Sequence, residues 1–264
     1  MYGIAAIALG VLGLISRDFA AVWQPIENLI GAADRKLIAV LYAAALLVAG
    51  GATLWRKSAQ TGLAMLTGLH FLATLGWVPR IVGYWRIYGT WNGFFELFSL
   101  VVAGAIAYAV LAPPSSAWRK QTLQTGHYLY AACLLSFAVG HFTALTQTAG
   151  MVPKWLPPGQ MFWAVATGVF YLLAAAALAV RFKAALAVRL VTVMMLGFAV
   201  LAWGPLLLRQ PEHFTWAGTA ITVALASAAW IVADSLSQRS SESTARAVDS
   251  NALQVGSDLA NPPV

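Results

Sequence analysis

Apolar residues run in long blocks separated by short polar breaks. The blocks fall at about 1–16, 37–54, 61–79, 91–112, 127–148, 160–180, 184–207 and 214–235. Most approach the ~20 residues a helix needs to cross about 30 Å of hydrocarbon. The first is shorter. Breaks carry Pro, Gly or charge, as at Pro113-Pro114 and Pro157-Pro158-Gly159, where a missing N–H or a free backbone stops a helix. Ten-residue stretches of alternating apolar and polar residues are absent, which argues against a membrane β-barrel. The pattern predicts an all-α, polytopic membrane bundle of about eight transmembrane helices. Residues 236–264 depart from it. They are rich in Ser, Asn, Asp and Ala and are expected to form a disordered, solvated tail. No Lys or Arg precedes the first apolar run, so that run is expected to be a helix of the mature protein rather than a secretory signal.

Composition agrees with this pattern. The chain has 264 residues, of which 60% are hydrophobic and 9% charged. Soluble domains run near 25% charged, so a chain this poor in charge takes lipid as its main solvent. The 11 Trp and 8 Tyr suit aromatic belts at headgroup level. The net charge of +7 is spread over short loops and helix ends. It reads as topology signal and contact with anionic lipid, and no nucleic-acid motif accompanies it. Cys133 is the only cysteine, which excludes an internal disulfide or a Cys-x-x-Cys pair.

The chain reads as a tandem repeat. A shift of 125 positions lays Arg56 on Arg181, Ala59 on Ala184, Trp91 on Trp216 and Gly93 on Gly218. With a seven-residue gap, Trp23-Gln24-Pro25 meets Trp155-Leu156-Pro157. The expected organisation is a four-helix unit at 1–112, a connecting loop at 113–126, a second four-helix unit at 127–235, and the tail. Four helices return the chain to its starting side, so the units would share one orientation about an axis along the membrane normal. Lys and Arg in alternate breaks divide nine to seven. By the positive-inside rule this favours both termini in the cytoplasm.

The stretch from His141 to about Leu207 resembles the DoxX-like membrane proteins. The resemblance rests on Gly140-His141-Phe142, on Met151-Val152-Pro153-Lys154-Trp155-Leu156-Pro157, on Thr167-Gly168, and on Arg181-Phe182-Lys183-Ala184. The first half looks like a divergent copy, with Val22-Trp23-Gln24-Pro25 at the matching turn. The resemblance implies a doubled four-helix unit in a bacterial-type inner membrane. It also implies a component of a quinone-linked redox system, with a membrane or peripheral redox partner. Relatives often carry a glutamate three residues after the Thr-Gly pair, where this chain has Tyr171.

Ionisable groups at membrane depth are costly, so each is a candidate for function. Glu96, one turn into the fourth apolar block, is the leading candidate for a proton carrier or polar-ligand anchor. A structural ion pair with Arg80 or Arg86 is the favoured alternative, because an unpaired buried carboxylate costs more. His70, in the third block, could hold a quinone carbonyl, ligate haem or relay protons. The plainer expectation is a neutral ring bonded across helices to Ser, Thr or Tyr. His141 falls at the family's recurrent histidine, where a ring can also satisfy the carbonyls of a helix end. Asp18 belongs to an outer loop with Arg17 and Trp23. A b-type haem is disfavoured, since His127 and His141 lie 14 residues apart, about 21 Å along a helix. No metal site is expected. Phosphate-binding loops, Gly-x-Ser-x-Gly and His-Glu-x-x-His are all missing, which leaves no catalytic residue to nominate. A transporter or channel, and a non-catalytic scaffold, are the competing functional classes.

Overall fold

A computed structural model describes residues 1–31 and 33–260, with side chains described to Gln238. Every regular element among the described residues is helical. In order these are α1 (Tyr2–Ser16), a 3₁₀ turn (Pro25–Leu29), α2 (Arg35–Thr53), α3 (Ala59–Leu75), α4 (Val78–Tyr84) and α5 (Tyr88–Val110). Next come α6 (Ala117–Thr143), α7 (Leu145–Met151), α8 (Gln160–Ala179), α9 (Ala184–Phe198), a π turn (Ala199–Trp203), α10 (Gly204–Arg209) and α11 (His213–Ala260). Six stretches are long and apolar enough to cross a membrane, and α6 with α7, bent by 93°, makes a seventh. The remaining apolar helix, α1, has 15 residues, or about 22 Å.

Residue size is distributed as a bilayer demands. The interior of the bundle is built from small side chains such as Ala5, Ala6, Ala39, Ala49, Ala103 and Ala228, all at most 2% exposed. Large apolar side chains such as Leu37, Leu41, Val48, Leu173, Val193 and Val200 face outward, each more than half exposed. Lipid tails are as apolar as Leu, so nothing drives these residues inward. Close backbone approach through small residues holds the helices together instead. A water-facing surface of this kind would aggregate. The protein is therefore a multi-pass membrane protein.

Helix contacts follow chain order. The helix α1 packs on α2, α2 on α3, α3 on α5, α5 on α6, α6 on α8, α8 on α9 and α9 on α11. The last helix returns to α1 and also crosses to α5, so the spans close into a ring with α5 and α11 meeting inside it. Local breaks match sequence features. Trp77-Val78-Pro79 and Trp203-Gly204-Pro205 start the short helices α4 and α10 with Pro in their first turn, where proline needs no N–H partner. Arg17, at φ 52°, ends α1 in the left-handed region.

Two boundaries differ from the hydropathy pattern. The expected loop at 113–126 is short, because α6 begins at Ala117. Its first turns carry the half-buried Arg119 and the exposed Lys120 and Gln121. Polar residues at a span's end keep the helix while losing the apolar signal. The segment 236–264 begins inside α11, whose apolar part is His213–Gln238. The backbone of the expected tail continues in α11 as far as Ala260, while side chains from 239 onward and the backbone beyond Ala260 lie outside the described residues.

Candidate functional site

Glu96 projects from the first half of α5. Its Oε1 accepts a hydrogen bond from Asn92 Nδ2 at 2.8 Å, one turn earlier. The expected ion pair with Arg80 or Arg86 does not form. Arg80 instead reaches Glu27 at 3.4 Å and lies over the Trp77 ring at 5.1 Å, while Arg86 lies over Trp85 at 5.0 Å. Arg80 lies within α4 and Arg86 just past it, where they stack on interfacial indoles and keep their charge near water. An amide one helical turn away satisfies the carboxyl locally, with no cation among the described residues.

Across the contact between α5, α6 and α8 stands His141. Its Nδ1 lies 2.9 Å from the Phe137 carbonyl. A carbonyl only accepts, so Nδ1 carries the proton and Nε2 presents a lone pair. The ring lies between Tyr171 (5.1 Å between centroids) and Phe198 (6.4 Å). Tyr171 also meets Phe137 at 5.5 Å and interacts electrostatically with Glu96. Two glycines allow this gathering. A Cβ at Gly140 would stand 2.5 Å from Asn92 Oδ1, and one at Gly168 would stand 3.1 Å from the His141 Cβ. Asn92, Glu96, His141 and Tyr171 thus form one polar group. Nearby, the buried Tyr130 hydroxyl makes no hydrogen bond and interacts electrostatically with Tyr171.

His70 belongs to a different group. Its Nδ1 is 2.9 Å from the Tyr2 hydroxyl, which donates its one proton to the Leu100 carbonyl at 2.8 Å. His70 must then donate through Nδ1, which leaves Nε2 unprotonated and without a hydrogen bond. The cross-helix partner is a tyrosine, one of the types expected. No described contact joins His70 to Glu96 or His141. The three residues do not meet at one point; His141 packs on Tyr171, and Asn92, which holds Glu96, lies against Gly140 beside His141.

Asp18 lies in the loop that follows α1. Both its oxygens accept from Arg35 at 2.9 Å, and Oδ1 also accepts the Phe19 N–H at 2.8 Å. Burial pushes its pKa up, but these bonds and the charges of Arg35 and His213 prevail and hold it below the ordinary value. Glu27, in the 3₁₀ turn, is shifted upward, mainly by burial. The two acids and two arginines lock the loops, and neither pair contacts the Glu96 group. Asn92 and Tyr171 were not nominated from sequence. The Asn92–Glu96 spacing of four was the available signal. Among the described residues no group of three or more His, Cys, Asp or Glu could hold a metal ion.

No family model, curated protein or solved structure matches the chain.

Proposed function

We propose that the chain is a DoxX-like membrane protein of two fused four-helix units and eight spans. In this reading the Asn92–Glu96–His141–Tyr171 group is its working site, where a quinone-type carbonyl ligand and a proton are held for a redox partner. Duplication is supported by matched contacts. The series α1–α2–α3–α5 is echoed by α6–α8–α9–α11, and short helices after Trp-x-Pro fall at corresponding places. The 15-residue α1 would be the eighth span, tilting little or drawing the bilayer in. The Lys and Arg margin would leave both termini in the cytoplasm of an inner membrane.

The observation that carries the site is Glu96 held by an amide rather than a cation, beside a histidine and a tyrosine from the other unit. A carboxyl paired to arginine stays ionised. One bonded to a neutral amide can gain or lose a proton at small electrostatic cost. The donor set fits a carbonyl ligand. Tyr171 offers a hydroxyl proton, and His141 Nε2 offers a lone pair to a ligand hydroxyl. Relatives' acid at the Tyr171 position would have its counterpart here in Glu96, supplied from α5 rather than α8. A bound quinone would supply the electron chemistry. The chain's residues would orient it, exclude water and exchange protons at Glu96 and His141 Nε2.

The test is organic extraction of the purified full chain, with titration by a short-chain benzoquinone. The expected result is bound quinone that is lost in Glu96→Leu and His141→Leu and weakened in Glu96→Gln. A folded protein that neither carries nor binds quinone would end this reading. Solute uptake by reconstituted vesicles would then move the site to a transporter, and a co-purifying membrane partner alone would favour a scaffold.

A further inference from the structure

Two tryptophans are seated on glycine in the same manner. The Trp77 indole lies so close on Gly93, and the Trp203 indole on Gly218, that a Cβ at either glycine would overlap the ring. Their other sides differ. Trp203 is enclosed by Trp23 and Phe214, each 5.8 Å away between centroids, and these two meet each other at 5.1 Å. Phe214 stands one turn before Gly218. The residue one turn before Gly93 is Gly89, which has no atom within 4 Å of where its Cβ would be. Beside Trp77 there is instead a groove of about 420 Å³, lined by Trp77, Arg80, Tyr84, Ile87, Gly89 and Thr90.

We propose that this groove binds one anionic phospholipid, with its phosphate on Arg80 and an acyl chain along Trp77, Ile87 and Gly89. The inference does not depend on the quinone reading. Arg80 makes one bond, at 3.4 Å, to Glu27, so most of its five N–H donors face elsewhere. Trp77 Nε1 is buried and makes no hydrogen bond. What Trp77 presents to the groove is its apolar ring, and its N–H stays enclosed in the protein. The rim is what the headgroup level of a membrane selects: Tyr84, Trp85 and Ile87 are 62%, 61% and 58% exposed, with Arg86 stacked on Trp85. A free inorganic anion would use Arg80 and leave the apolar floor bare, whereas a phospholipid covers both.

The test is native mass spectrometry of the full chain in mild detergent with phosphatidylglycerol or phosphatidylcholine of the same acyl chains. One phosphatidylglycerol should be retained, with about fivefold preference over phosphatidylcholine, the effect of one cation on an anionic lipid. Gly89→Phe supplies the ring that already stands beside Trp203, and should expel the lipid. Gly83→Phe also enters open space but lies outside the groove, and should retain it. Arg80→Gln should equalise the two lipids. Retention by a folded Gly89→Phe, or an undiminished preference in Arg80→Gln, overturns the proposal. A dimer that Gly89→Phe dissolves would give the groove to a second copy. If Gly89→Phe does not fold, the Arg80→Gln result decides.

Discussion

Gly50 and Gly51 are adjacent in α2, and replacing each by Ala separates packing from helix propensity. A Cβ at Gly51 would meet nothing within 4 Å. Gly51→Ala should therefore gain up to about 1 kcal/mol from helix propensity. A Cβ at Gly50 would stand 2.7 Å from the Gly3 carbonyl oxygen and 3.1 Å from the Ile7 amide nitrogen of α1. Both atoms are backbone and cannot rotate aside. Restoring ordinary contact needs the helices to part by roughly 0.7 Å, a gap that forfeits a quarter to a half of each dispersion well along the seam. A Cβ at Gly10 would likewise stand 2.7 Å from the Ala43 carbonyl oxygen, so the tight seam extends along both helices. Overpacking of this kind costs about 1–3 kcal/mol. Gly50→Ala should thus be less stable than Gly51→Ala by about 1–3 kcal/mol, or roughly 2–4 °C in midpoint per kcal/mol for a chain of this size. Thermal unfolding in one detergent, read by loss of the monodisperse complex, measures the difference. Equal midpoints would refute the close α1–α2 seam.

Other outcomes follow from the same geometry. Trp23→Ala should cost about 3–5 kcal/mol, since it opens a cavity between Trp203 and Phe214; a midpoint unchanged within error would deny that the three rings pack. Cys133 is fully buried, so a maleimide should leave it unlabelled in the native protein and label it fully in dodecyl sulfate. Native labelling would mean that the Cys133 face of α6 is not packed against its neighbours. The two loop acids oppose each other in pH. Asp18, with its lowered pKa, stabilises the fold above the ordinary carboxylate range, and that contribution is lost as pH falls through its lowered value. Asp18→Asn should blunt acid destabilisation by well under 1 kcal/mol, because the pair is 39% exposed and screened. Glu27, with its raised pKa, contributes most below the ordinary range, and that contribution is lost as pH rises through its raised value. Glu27→Gln should therefore reduce any loss of stability as pH rises from the ordinary carboxylate range through the raised value, as read by midpoints across that rise.

Helices and most of their limits were legible because apolar length is a direct signature of a bilayer. Gly159 and Gln160 begin α8 where the pattern placed it. The start of α6 was hidden because Arg119 and Lys120 are polar yet helical. The Glu96 environment was misjudged for a related reason. Sequence logic sought a countercharge for a buried acid and found Arg80 and Arg86 nearby. Those side chains gained more by stacking on Trp77 and Trp85, and Asn92 answered instead. Tyr2 and His70 lie 68 positions apart, and no local pattern could pair them. The grouping of His141 with Tyr171 and Glu96 depends on Gly140 and Gly168 letting three helices converge, which is a property of packing rather than of any one segment.

The π turn at Ala199–Trp203 has a consequence for chain length. From Ala59 to Trp77 there are 18 steps, and from Ala184 to Trp203 there are 19, yet each indole arrives on its glycine. One surplus residue in a regular helix would swing everything beyond it by about 100°. A widened turn swallows the residue and leaves the aim of the next turns intact. Such a span can lengthen or shorten by a single letter without its neighbours being rewritten, and a chain trimmed by one residue between 199 and 203 should close into unbroken helix with Trp203 still resting on Gly218.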